Sequence, residues 1–109
     1  MEFNGNNNNS IVRVFKVMNG EEIIADSYEA GDAWILNTPL GVGIDPNQGR
    51  LVFVPYLAYT SATKELVLPK SNLMFEPVIP VDEVLDNYNQ YRNPNRVLAP
   101  RKPSLIVPN

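Results

Sequence analysis

The sequence predicts a mainly β fold: five short antiparallel strands, strongly bent and rolled into a small open barrel, followed by one C-terminal helix. Three observations predict it. Asn19-Gly20 stands between two runs rich in Val, Ile and Phe, a strong hairpin signal because both residues tolerate positive φ and the flanking side chains suit a pleated surface. Turn clusters bearing Gly, Pro, Asn or Ser then recur through residues 29–71, at a spacing that fits up-and-down strand pairing. From Val81 the period changes: Val81, Val84, Leu85 and Tyr88 fall at i, i+3, i+4 and i+7, the stripe of an amphipathic helix.

The elements follow in chain order. Residues 1–10 are Asn-rich with little to bury, so they are expected to form a disordered leader. Residues 11–18 make the first strand, Asn19-Gly20 a type I′ turn, and residues 21–28 the second strand. Residues 29–32 turn about Gly31. The third strand spans 33–37, with a short continuation through Val42 and Ile44 before a loop at 45–49. Residues 51–60 are the longest apolar run, but Pro55 lies inside it. Proline cannot donate to a ladder, so this strand must be an edge there or bend at a bulge. After a tight turn at 61–63, residues 64–69 and 72–76 form the fifth strand, interrupted at Pro69-Lys70-Ser71. The helix is expected over 81–91, with Pro80 as its start signal and Asp82 and Glu83 placed to suit its dipole. Residues 92–109 hold four prolines and are expected to be extended or disordered. Their Leu105-Ile106-Val107 segment is apolar enough to dock on an exposed sheet edge.

Composition removes most function classes. The 109 residues suit one domain, here residues 11–91. No apolar run is long enough to span a membrane, and no membrane partner is expected. Residues 1–10 lack the pattern of a signal peptide. The chain has no cysteine and no histidine, so it lacks a thiolate nucleophile, the commonest general base and the commonest transition-metal ligand. The absence of cysteine fits a cytoplasmic protein. Glu21-Glu22 sits in a hairpin and Asp82-Glu83 at a helix start, where structural reasons suffice. The sequence therefore predicts no catalytic residue, no metal, no cofactor and no small-molecule substrate.

The net charge of −3 is unevenly spread. Residues 1–91 carry five basic and all twelve acidic side chains, whereas the last eighteen residues carry Arg92, Arg96, Arg101 and Lys102 and no acid. Such a tail suits nucleic-acid or acidic-surface contact; the plainer reading, which is favoured, is that it keeps a terminus in solution or folds back on its own acidic body. The acidic body itself argues against tight, non-specific duplex DNA binding.

Two segments carry a family resemblance. Phe15-Lys-Val-Met-Asn-Gly-Glu-Glu-Ile-Ile-Ala25, followed by Asp32 and Asn37, is similar to the first motif of the Sm-like (LSm) family. Leu66-Val-Leu-Pro-Lys-Ser-Asn-Leu73 is similar to the second. The likeness covers roughly residues 11–91. It extends to small Sm-like proteins of marine phages and ocean metagenomes, where NGEEI, an N-x-P-L segment (here Asn37 to Leu40), a Pro-interrupted fourth strand and a helix with Asn-Tyr-Asn occur together. For such a protein the host cytoplasm is the expected location. Several positions depart from the family. Asn37 lies one residue further from the acid than usual, Ile35 stands where a stacking side chain is common, with Trp34 adjacent, and Lys70-Ser71 replaces Arg-Gly.

The resemblance implies an SH3-type open barrel that binds single-stranded RNA, or DNA, as a homo-oligomeric ring. Asn37 would read a base edge, Lys70, with Ser71 and Asn72 beside it, would face phosphate or base, Asp32 would orient the loop, and Trp34 would stack. The alternatives at each position are plain ones: Asn37 as a turn residue before Pro39, Lys70 as a solvated charge, Trp34 as core. Ring formation would pair strand four of one copy with strand five of the next through Val52, Val54, Tyr56, Tyr59, Leu66 and Leu68. A structural assembly ring with no nucleic-acid ligand is the second reading.

Overall fold

The computed structural model describes residues 10–93; the leader expected at 1–10, save Ser10, and the tail beyond Asn93 lie outside the described residues. Five antiparallel strands form one sheet: β1 (Ile11–Lys16), β2 (Glu22–Ala30), β3 (Ala33–Asp45), β4 (Arg50–Pro55) and β5 (Glu65–Pro69). Short 3-10 turns follow at Ser61–Thr63 and Lys70–Asn72, and the helix α1 runs Asp82–Arg92. The mainly β class and the C-terminal helix match the sequence reading. The sheet, however, is not closed into a barrel.

The β1–β2 hairpin differs in its turn. Gly20 has φ 95°, but Asn19 is not among the residues with positive φ, so the type I′ turn is replaced. Gly20 N–H donates to the Val17 carbonyl at 2.8 Å and Val17 N–H to the Glu21 carbonyl at 3.0 Å. That pattern is a three-residue loop ending in a left-handed glycine. Asn19 contributes through its side chain instead, its Oδ1 accepting the Glu21 N–H at 2.9 Å.

The long β3 organises the sheet. Its first half, Ala33–Asn37, pairs with β5, and its second half, Leu40–Asp45, pairs with β4. Between the halves Thr38 takes φ 51°, an uncommon conformation for a β-branched residue. Opposite it, Ile24 faces Leu40 while Asp26 faces Asn37, so Ala25 of β2 confronts both Thr38 and Pro39. This is a bulge, and it reverses which side of the sheet the even-numbered β3 residues face. β4 and β5 thus behave as one strand interrupted at the kink. Tyr56 N–H donates to the Pro39 carbonyl at 3.0 Å and Thr38 N–H to the Lys64 carbonyl at 2.9 Å, closing the excursion between them. Pro55 ends β4 at the interruption, where a missing N–H costs least.

Two apolar clusters result. Phe15, Val17, Ile23, Ala25, Trp34, Leu36 and Leu68 fill the side enclosed by the bent sheet. Val12, Ile24 and Leu40 on the other side pack against Val84 and Tyr88 of α1. Of the expected helical stripe, Val84 and Tyr88 are buried and Leu85 is half-buried, whereas Val81 caps the helix and is exposed. The Tyr88 hydroxyl sits at the bulge, accepting the Asp26 N–H at 3.0 Å and lying 2.9 Å from both the Asn37 and Thr38 carbonyls. It satisfies the polar backbone groups that the bulge leaves without ladder partners.

Residues 72–76 do not extend β5. Leu73 bridges to Val17 and Val78 to Val14, and Met74 N–H donates to the Lys16 carbonyl at 2.9 Å. The 3-10 turn at Lys70–Asn72 carries the chain across to the outer edge of β1. That edge is covered, while the outer edges of β4 and β5 have no strand partner among the described residues.

Candidate functional site

The residues singled out in the sequence fall into two groups. Asp32, in the β2–β3 turn, and Lys70, after β5, lie together: Lys70 N–H donates to the Asp32 carbonyl at 2.9 Å. Ser71 and Asn72 continue the same turn and are exposed. The Lys70 ammonium is engaged by the Glu29 carboxylate. Trp34 is buried, with 6% exposure. It packs edge-to-face on Phe15 with ring centroids 5.7 Å apart. The Arg13 guanidinium lies 4.7 Å and the Lys70 ammonium 6.0 Å from its ring centroid. This is a core position flanked by the protein's own cations, not an open stacking platform.

Asn37 lies elsewhere. It pairs with Glu65, whereas Ala33 pairs with Pro69 at the other end of the same ladder. Four residues of strand place Asn37 about 13 Å from the Lys70 end, at about 3.3 Å per residue. Its carbonyl accepts from Tyr88. A base-reading amide and its supporting cation are therefore not brought to one pocket. The sequence spacing was one residue off the family pattern, and the structure has β3 already underway at that residue.

The residues expected at an oligomer interface also divide. Leu68 is core and Leu66 is packed against it. Val54 on β4 is 55% exposed and Tyr59 in the β4–β5 excursion 89% exposed. Val52 is half-buried, and Tyr56 is half-buried with its hydroxyl donating to Glu21 at 3.0 Å.

Three features were not found from the sequence. Glu29 neutralises Lys70, and residues 41 apart in the chain carry no local signal of pairing. Arg13 points at the Ser27 carbonyl (2.8 Å) and hydroxyl (3.1 Å). Burial pulls this guanidinium below its ordinary pKa, with Glu29 and Asp26 acting in the opposite sense. Last, Met74, Phe75, Val78 and Ile79 form an apolar margin outside β1, each at least 50% exposed. Their signal was present as an apolar segment between Leu73 and Val81, and its prolines hid its role.

No cluster of three metal-ligating acidic side chains occurs among the described residues, and no helix there is long and apolar enough to cross a membrane. Compared with known protein families and with curated proteins, the chain matches none.

Proposed function

We propose that this chain is the subunit of a homo-oligomeric, Sm-like ring whose role is assembly rather than nucleic-acid reading. The observation that carries the proposal is the pair of unlike apolar margins on one sheet. One margin is the edge of β4 and β5, which has no strand partner among the described residues and where Val54 is 55% and Val67 59% exposed. The other is residues 73–79 outside β1, with Met74, Phe75, Val78 and Ile79 turned to solvent. Open apolar edges invite pairing with another chain. Because the margins differ, copies would associate head to tail, and such contacts form rings when the rotation closes. The Sm-like element of the proposal is supported by the sharply bent β3, the 3-10 turn at Lys70–Asn72 and the return of the chain onto β1.

Charge favours assembly over nucleic-acid binding. Residues 10–93 hold six basic and eleven acidic side chains. Lys16, Lys70 and Arg92 are each already paired with a carboxylate. Phosphate recognition rests on cations free to replace counterions. The experiment is filter binding of short U-rich and A-rich single strands to the wild type, Asn37→Ala and Lys70→Ala. The expected result is weak binding, identical in all three proteins. Tight binding by the wild type that either substitution abolishes would reverse the assignment and make the ring an RNA reader.

A further inference from the structure

A cleft of about 400 Å³ opens at the hairpin end of the sheet, on the face carrying Gly41, Gly43, Val52, Val54 and Tyr56. Its depth comes from two glycines on β3. A Cβ at Gly43 would meet only the Val52 side chain at 3.8 Å, and one at Gly41 would meet Val54 at 3.4 Å. Neither glycine has positive φ, so the backbone does not require glycine at either position. What their absence of side chain provides is space. The cleft falls in the size range of small-ligand and peptide-side-chain sites. Its floor is aliphatic, and its rim holds Glu21, which accepts from the Tyr56 hydroxyl, and Glu22, which pairs with Lys16. Both carboxylates remain exposed, and no cationic residue among the described ones lines the cleft.

One segment of this chain has the complementary chemistry. Residues 94–109 carry Arg96, Arg101 and Lys102 with no acid, followed by Leu105-Ile106-Val107. Aliphatic side chains suit the floor, and the cations upstream of them suit the acidic rim. Reach is adequate: about 40 Å of extended chain separates Asn93 from Leu105 at about 3.3 Å per residue, comparable with the 42 Å longest extent of the molecule. We infer that the cleft is the docking site of the chain's own C-terminal segment, taking Leu105-Ile106-Val107 on Gly41 and Gly43 while Arg101 and Lys102 face Glu21 and Glu22. The occupant comes from the same molecule, but the cleft shares Val54 with the margin proposed for assembly, so protection and mass are read on the same samples.

Hydrogen exchange on the full-length chain tests this contact, with Gly43→Leu to fill the cleft and Gly43→Ala as the control that leaves it open. Amides of residues 105–107 are expected to exchange at least about tenfold more slowly than in an unstructured chain, a protection that measures local opening. That protection is expected to persist in Gly43→Ala, vanish in Gly43→Leu, and stay constant on dilution. Exchange of β2 and β3 amides in the same spectra reports whether Gly43→Leu remains folded. If Gly43→Leu unfolds, Glu21→Lys replaces it, and loss of protection with an intact sheet is the expected result. Free exchange of 105–107 in the wild type overturns the inference. Protection that survives the filled cleft, or that disappears on dilution, also overturns it, the latter by assigning the occupant to another copy. Light-scattering mass, read on the same samples, reports the assembly separately.

Discussion

At the scale of single residues, the Tyr88 hydroxyl joins the helix to the kink in β3. It meets the Asp26 N–H and the Asn37 and Thr38 carbonyls from a fully buried position. Tyr88→Phe keeps the ring and removes the partner, so it should cost about 1–3 kcal/mol in urea unfolding, the penalty for unpaired buried groups. Burial is the largest influence on this phenol and raises its pKa, against lowering by the Asp26 backbone and Arg92. The Tyr56 phenol is also raised, by burial and then by Glu21. The folded state thus holds these protons more tightly than the unfolded chain does. Their stabilisation is complete below the unfolded phenol pKa of about 10 and is lost as pH rises through the higher folded values. Unfolding free energy should fall across the alkaline range above about pH 10, less steeply in Tyr88→Phe. Thr38 is a second point of tension, with φ 51° on a β-branched side chain. Thr38→Asn should raise stability by about 1 kcal/mol, since asparagine tolerates the left-handed region better.

At the scale of elements, the hairpin, the third strand and the helix differ in how openly the sequence declares them. The Asn19-Gly20 turn was legible as a turn, but its type depended on how Asn19 spends its side chain. Gly20 at φ 95° meets nothing within 4 Å where a Cβ would stand. Gly20→Ala should therefore destabilise by about 1 kcal/mol through backbone strain alone, measurable as a shift in the urea midpoint. The helix was legible because its 3.6-residue stripe has a single face to bury, and Val84 and Tyr88 are that face. The extent of β3 was legible in part: the continuation through Val42 and Ile44 was expected and the strand does run to Asp45, but the bulge at Pro39 that divides it was not. Residues 72–76 read as the second part of strand five, because alternation cannot say which neighbour a strand chooses, and they bridge to β1 instead. Only the family resemblance marked Asn37 and Lys70 as a pair. Their separation follows from the register of β3 on β5, which no local pattern encodes.

At the scale of the whole molecule, the account rests on two unlike margins left uncovered by the described residues of one copy. Placing lysine at exposed β4 and β5 positions blunts an edge without touching the core, because Val54 and Val67 are turned to solvent. The double variant Val54→Lys/Val67→Lys should stay folded, with the wild-type far-UV spectrum, and sediment as a monomer, its urea midpoint lowered by the lost association energy. A variant that stays oligomeric would move the interface away from this edge. The most direct measurement is the mass of the wild-type chain by sedimentation velocity across micromolar concentrations. A closed head-to-tail ring predicts one species, a fixed multiple of 12.2 kDa, unchanged on dilution through that range. A single species of 12.2 kDa at every concentration would contradict it.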